Sequence, residues 1–559
     1  MEKIRLELED WAYNAGLIGL NNILEHNDDE NLYLTDKNYI EFSVDIFENF
    51  EEKYFDYLSY KCMHQTTYWN MIKNIDFVME IFNSKEKISE KQLEQINKII
   101  GYVKEKLKKN SYVSVYSYIK DQKIDLLMEK EKLETLKLKK KETIDDIQDK
   151  IKEQTGILMT IMKNLRNENY KKYILAKDII YTYSNEFLSN VAMWHKNNSS
   201  KDPYQVFKDY FLNPIENYMK SDKSKYKLKC TCCERPLKSM GDSYNLTWIN
   251  KMGVDGNKKS SYYWNFNNDT KVCPICNLIF ACIPAGITYL NKKGFFINEN
   301  QSFQKLKEMN NFNNLENVSG IEELEEISYM KIANIVEYRS KTKNSYNEIE
   351  NIQIIKYDAE NTSRGYTFNI LSKDKLEIIT ENKKELEKIL YAKISLNKQK
   401  PAFNLYQEVM KRIYFNSNLY DLIQNLVTLK AKKSFIEAIL KIQYSLIGGR
   451  RNMENKEGFK NIHFVVRKSG KTLREKYEKE KLDSKIQSII YKLLMAVRTK
   501  NISTFSEIII KSYMSINSPV PNFFINALED EDKLQLFGYS FIMGLTGEEK
   551  IPEKKTEGK

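Results

Sequence analysis

Two Cys-x-x-Cys knuckles in mid-chain, Cys230/Cys233 in CTCC and Cys273/Cys276 in CPIC, limit what this chain can become more than any other feature. Four thiolates in two such pairs are the usual donor set for one tetrahedral structural zinc with no open position. Each knuckle places two sulfurs on one tight turn, so the chain between must return the second pair to the first. Two runs provide that return, 245–249 and 261–266, joined by the turn residues Val254, Asp255, Gly256 and Asn257, and they read as a β-hairpin. Residues 234–272 exceed the gap of about 15–20 usual between ribbon knuckles, which makes this an elaborated zinc ribbon.

Cys232 sits inside the first knuckle and leaves the ligand register open to a swap with a neighbour. Reduced core cysteines are one competing reading, because free Cys packs as a small hydrophobe. A redox dithiol is another, but no thioredoxin-like strand precedes either pair.

The second knuckle runs on as CPICNLIFACIPAG, and the chain opens with IRLELEDWAYNAGLIGLNNIL at residues 4–24. With the paired knuckles, these stretches resemble the CXXC-CXXC family of CRISPR-associated proteins, the large subunit of type I-B Cascade-like interference complexes. The resemblance implies a subunit that contacts the 5′ end of a guide RNA and target double-stranded DNA. It also implies reading of the short target-flanking motif (PAM recognition), support of the displaced strand, and assembly with the other Cascade backbone subunits. It further implies recruitment of a separate helicase-nuclease in antiviral defence, and a C-terminal part resembling a small subunit.

At 559 residues the chain is too long for one core. We expect an α+β, mostly helical, multidomain fold. Its stretches are an N-terminal, mainly helical 1–225, a zinc-ribbon-like module over 226–290, a mixed α/β region over 291–400 and a C-terminal helical bundle over 401–559. Hydrophobic residues at 42% and charged residues at 30% indicate a globular chain. No apolar run reaches the length of a membrane span and the N-terminus has no signal-peptide pattern, so the expectation is a cytoplasmic protein with no membrane partner. Unpaired thiols such as Cys62 and Cys282 fit a reducing compartment and read as buried packing.

Residues 4–8 alternate as a strand, and Asp10 reads as the N-cap of a helix running to about His26. Gly16 and Gly19 lie inside that helix. Each costs about 1 kcal/mol relative to Ala there, so close approach of another backbone is the natural explanation. Residues 32–43 read as two short strands across a turn, and a helical tract from Val44 to about residue 200 has expected breaks near Ser84, Asn110 and Gly156. Short strands are expected at 294–297, 352–355, 366–371 and 376–380. Beyond Pro401 the apolar stripes of 419–447 and 484–499 predict a helical bundle.

Four histidines, none paired at ligand spacing, leave little for acid–base or His-metal chemistry. Arg467-Lys468-Ser469-Gly470-Lys471-Thr472, after the strand-like 462–466, has Val465 where a phosphate loop requires Gly. No carboxylate pair stands out, so the chain reads as a binder without a catalytic centre. The runner-up is a zinc-ribbon nuclease or nucleotidyl transferase with an unrecognised acidic metal centre.

A formal charge of +11 favours polyanionic partners. Lys227, Lys229, Arg235 and Lys238 surround the first knuckle. Lys251, Lys258 and Lys259 lie on the hairpin beside Trp248, Tyr262, Tyr263 and Trp264, and cations interleaved with aromatics suit nucleic-acid backbones and bases. A second cluster joins Gly448, Gly449, Arg450 and Arg451, read as a loop between helices, to Arg467, Lys468, Lys471 and Arg474.

Overall fold

The computed structural model describes residues 3–546 apart from 85–86, 120–123, 139–141, 189–191, 240–242, 247, 250–270, 291, 301, 313–351, 362–364, 396–401, 430, 451–455 and 525–530. The fold is α+β and mostly helical, with small sheets. The described residues divide into two compact units, 3–312 with 353–368, and 352 with 369–546.

In the first unit, strand β1 (Lys3–Glu7) leads into helix α1 (Trp11–His26). Asp10 caps the helix, its Oδ1 accepting from the backbone N–H groups of Ala12 at 2.7 Å and Tyr13 at 3.0 Å. β2 (Tyr33–Asp36) and β3 (Tyr39–Ser43) complete an antiparallel sheet of order β1-β3-β2. Its register sets Ile4 opposite Phe42 and Leu6 opposite Ile40, so one apolar face is buried. Helix α2 (Phe50–Cys62) follows.

Further on, β4 (Leu228–Lys229) pairs with β5 (Pro236–Leu237) around the first knuckle. The second knuckle opens helix α3 (Pro274–Ala281), followed by the helical turn α4 (Ile283–Gly286). A second sheet has the order β6 (Thr288–Leu290), β7 (Lys293–Asn298), β8 (Ile352–Asp358), β9 (Tyr366–Leu371). Asn14 of α1 is fully buried and donates from Nδ2 to Asn298 Oδ1 at 2.8 Å and Asn300 Oδ1 at 2.7 Å, which fixes α1 against the end of β7.

The close approach expected at Gly16 and Gly19 is present, and α3–α4 is the partner. A Cβ on Gly16 would lie 2.2 Å from the Ile279 carbonyl oxygen, one on Gly19 2.0 Å from that of Cys282, and one on Gly286 1.8 Å from that of Ala15. The N-terminal helix and the helical segment that follows the second knuckle therefore touch backbone to backbone.

In the second unit, helix α5 (Lys456–Lys479) crosses helix α6 (Glu531–Leu545) in the same manner. A Cβ on Gly470 would meet the Phe541 carbonyl oxygen at 2.3 Å, and one on Gly544 that of Arg467 at 2.1 Å.

Several local readings are corrected. The strand-like 462–466 lies inside α5, because burial of Val466, Gly470, Leu473 and Tyr477 follows helical spacing and overrides the β-branched composition. Residues 376–380 belong to the helix Lys373–Glu381 for a similar reason, with Leu376 and Ile379 buried one turn apart. Gly448, Gly449 and Arg450 end the helix Lys433–Arg450 and are not a loop. Gly156 lies within the helix Gln148–Leu165. A Cβ there would crowd the Phe82 ring at 3.0 Å, so Gly serves packing there and not a break.

Candidate metal centre

The first knuckle is a tight turn between β4 and β5. Cys230 N–H donates to the Arg235 carbonyl at 2.8 Å, and Glu234 N–H returns to the Cys230 carbonyl at 3.0 Å. Glu234 closes this turn with φ at 54°, a left-handed conformation that Gly adopts at least cost. Glu234→Gly is therefore expected to raise the stability of the module by about 1 kcal/mol in urea unfolding. No gain would mean that the Glu234 side chain contributes as much as its backbone costs.

The second knuckle uses a helix end. Cys273 is the N-cap of α3, and its Sγ accepts from Cys276 N–H at 3.4 Å. Cys273 N–H in turn donates to Cys230 Sγ at 3.3 Å. These N–H groups favour thiolate, while the hydrogen bonds among the thiols at Cys273 and burial at Cys276 push both thiols well up.

The Sγ atoms of Cys230, Cys233, Cys273 and Cys276 all lie within 4.8 Å of one another, with Cys233 and Cys273 at 3.5 Å. Cys230, Cys273 and Cys276 are buried and Cys233 is half-buried. These four cysteines can hold a metal ion. Cys232 stands outside the set, and its thiol is pushed well up by its hydrogen bond to Cys230 and by burial. Cys62 and Cys282 are buried thiols elsewhere in the core, also pushed up by burial.

Side chains that the sequence did not single out support the centre. Tyr13, on the Gly16/Gly19 face of α1, places its hydroxyl 3.3 Å from Cys276 Sγ. Burial, then the charge of Cys276, pushes that phenol well above its usual range. From α2, Tyr54 donates to the Ala281 carbonyl at 3.0 Å and Tyr57 to that of Ala285 at 3.4 Å. Lys61 Nζ donates to the carbonyls of Pro284 at 3.2 Å, Ala285 at 2.6 Å and Ile287 at 2.8 Å. Burial pulls the Lys61 ammonium down to about 7, and the charge of Cys62 acts the other way. Tyr54, Tyr57 and Lys61 recur at helical spacing, a pattern that names a face of α2 without naming what it touches.

The cations read as nucleic-acid contacts separate into groups. Arg235 is half-buried and donates to the Arg5 carbonyl at 3.3 Å. Burial opposes its charge, yet its hydrogen bond to Cys233 and the charges of Cys233, Cys273 and Cys276 raise its pKa, which makes it a counter-ion of the sulfur cluster. Lys227, Lys229 and Lys238 are exposed, and Lys229 makes a 3.5 Å surface pair with Glu234.

Trp248 is buried and stacked on Trp194 at 5.2 Å, so it is core and no base-stacking platform. Residues 243–246 and 248–249 form only isolated bridges, Tyr244 with Val272 and Ile249 with Leu188, where a strand was expected. The rest of the hairpin, with Val254, Asp255, Gly256, Asn257, Lys251, Lys258, Lys259, Tyr262, Tyr263 and Trp264, lies outside the described residues, as does Arg451. In the second unit Arg467 pairs with Glu437 at 2.5 Å, and Arg474 with Glu478 at 2.7 Å. Lys468 and Lys471 are exposed on α5.

Geometry thus defines a module of four cysteines able to hold a metal ion, set into a mostly helical α+β scaffold. Residues 222–288, which contain that module, match the family model of a CRISPR-associated protein, Cas_CXXC_CXXC. The match meets the resemblance drawn from the knuckles and supports a CRISPR-associated protein. Neither a curated protein nor a solved structure matches the chain significantly. Among the described residues no helix is long and apolar enough to cross a membrane.

Proposed function

We propose that the protein is the large subunit of a type I-B CRISPR interference complex, a non-catalytic nucleic-acid-binding subunit whose four cysteines hold one structural zinc. The family match over the cysteine module carries this reading. The donor set supports zinc: four sulfurs, with neither His nor carboxylate in the cluster. A tetrahedron with Zn–S of about 2.3 Å has sulfurs about 3.8 Å apart, and the 3.5 Å pair within a 4.8 Å cluster lies close to that. The ion would supply cross-linking and charge neutralisation, with no open position for a substrate.

In this reading base pairing with a guide RNA supplies sequence recognition. The protein contributes cationic surfaces to the guide end and the target DNA, reads the target-flanking motif, and recruits a separate helicase-nuclease. The net charge of +11 and the exposed Lys227, Lys229, Lys468 and Lys471 support such contacts. Reconstitution with guide RNA, partner subunits and target DNA over a salt series is the test. Lys468→Glu with Lys471→Glu is expected to weaken target binding and to flatten the slope of log K against log salt by about 0.9 for each phosphate no longer neutralised. An unchanged slope would assign these lysines to a solvated helix face. Cleavage of labelled DNA with Mg²⁺ or Mn²⁺, abolished by one Asp or Glu substitution, would replace the reading with that of a nuclease.

A further inference from the structure

We infer that metal binding at the four cysteines and docking of the N-terminal helix α1 are one cooperative event, coupled through the Tyr13 hydroxyl on Cys276 Sγ. The inference rests on the reading of the cysteines as a metal centre. Tyr13 and Cys276 are 263 residues apart in the chain, 1% and 0% exposed, and 3.3 Å from each other.

Either atom of this pair can donate while Cys276 carries a proton. A metal-bound thiolate only accepts, so the Tyr13 O–H becomes the donor in a charge-assisted bond, stronger than the neutral one. The buried hydroxyl thus favours the loaded centre. A site that favours loading when α1 is docked must favour docking of α1 when it is loaded, because binding linkage is reciprocal.

The Tyr13–Cys276 pair also has little slack. Gly16 and Gly19, one and two turns beyond Tyr13, bring α1 against the carbonyls of Ile279 and Cys282. Movement of α1 away from α3 would take the phenol with it. Arg235 works similarly on a different sulfur, being bound to Cys233 and to the Arg5 carbonyl of β1. Two side chains on two of the cysteines therefore tie the cluster to the N-terminal strand and helix. Tyr13 is a positioning residue for the ligand sulfur and is no ligand itself.

The test uses the full chain with Zn²⁺ and Co²⁺ as probes. Tyr13→Phe is expected to weaken Zn²⁺ affinity about tenfold or more in competition with a chromogenic chelator, the size of effect usual for partners of metal ligands. It should also shift the sulfur-to-cobalt charge-transfer band of the Co²⁺ form to lower energy, a change that altered packing alone would not produce. Tyr68→Phe, which removes a buried hydroxyl bond to the Leu165 carbonyl and touches no part of the cysteine module, should leave affinity and band unchanged. Chelation of the wild type should abolish amide-exchange protection of residues 11–26. If the wild type binds one metal, and Tyr13→Phe leaves affinity, band and protection as they were, the coupling is overturned while the metal centre stands. A wild type that binds neither ion overturns both.

Discussion

Gly19→Ala is expected to destabilise the first unit by about 3 kcal/mol. In a helix interior this substitution normally gains about 1 kcal/mol, but here the new Cβ would lie 2.0 Å from the Cys282 carbonyl oxygen. No rotamer change relieves a clash between two backbones, so α1 must move off α3–α4, and overpacking of this kind costs about 1–3 kcal/mol or more. Movement of α1 also opens the Tyr13–Cys276 bond. Gly101→Ala is the internal control, because Gly101 lies inside the helix Glu90–Lys106 with nothing within 4 Å of its would-be Cβ. That variant should be more stable by about 1 kcal/mol. All five tryptophans precede residue 265, so tryptophan fluorescence in urea follows the first unit without the second. Equal midpoints for the two variants would refute the backbone contact.

Cys273→Ser should cost still more, through loss of the metal. Structural zinc contributes about 10–16 kcal/mol of apparent binding energy in small modules. Ser is itself a good N-cap, so this substitution spares the capping role of Cys273 on α3 and removes a ligand. The expected outcome is much less than one zinc per chain and rapid proteolysis around residues 228–290. Cys232→Ser should retain full zinc content, because Cys232 stands outside the cluster. If both variants kept zinc with wild-type affinity, the centre would have to be built from other residues.

The spacing of the four cysteines made the metal centre legible, since two Cys-x-x-Cys turns carry their own chemistry. The requirement for a close neighbour at Gly16 and Gly19 was legible too. Which backbone met them was not, because helix-on-helix contact leaves no local signature at long sequence separation. Tyr13 went unnoticed for that reason. Its tyrosine hydroxyl looks like any other until Cys276 is beside it. Residues 462–466 failed differently: Ile462, Val465 and Val466 favour a strand locally, and packing of α5 against α6 through Gly470 and Gly544 decides otherwise. Arg235 was counted among surface cations because charge alone says nothing about what lies beside it.

The 263-residue separation of Tyr13 and Cys276 has a meaning in time as well as in space. At roughly 5–20 residues per second of synthesis, α1 leaves the ribosome between about ten seconds and a minute before the helix that covers it exists. Through that interval the face of α1 at Ala15, Gly16 and Gly19, covered in the finished fold by Ile279, Cys282 and Gly286, has no native partner. Pairings of such long range also form slowly once both ends are present. Docking of α1 on α3 and α4 therefore waits until synthesis has passed Gly286, and the N-terminal helix is made long before the backbone it is shaped to meet.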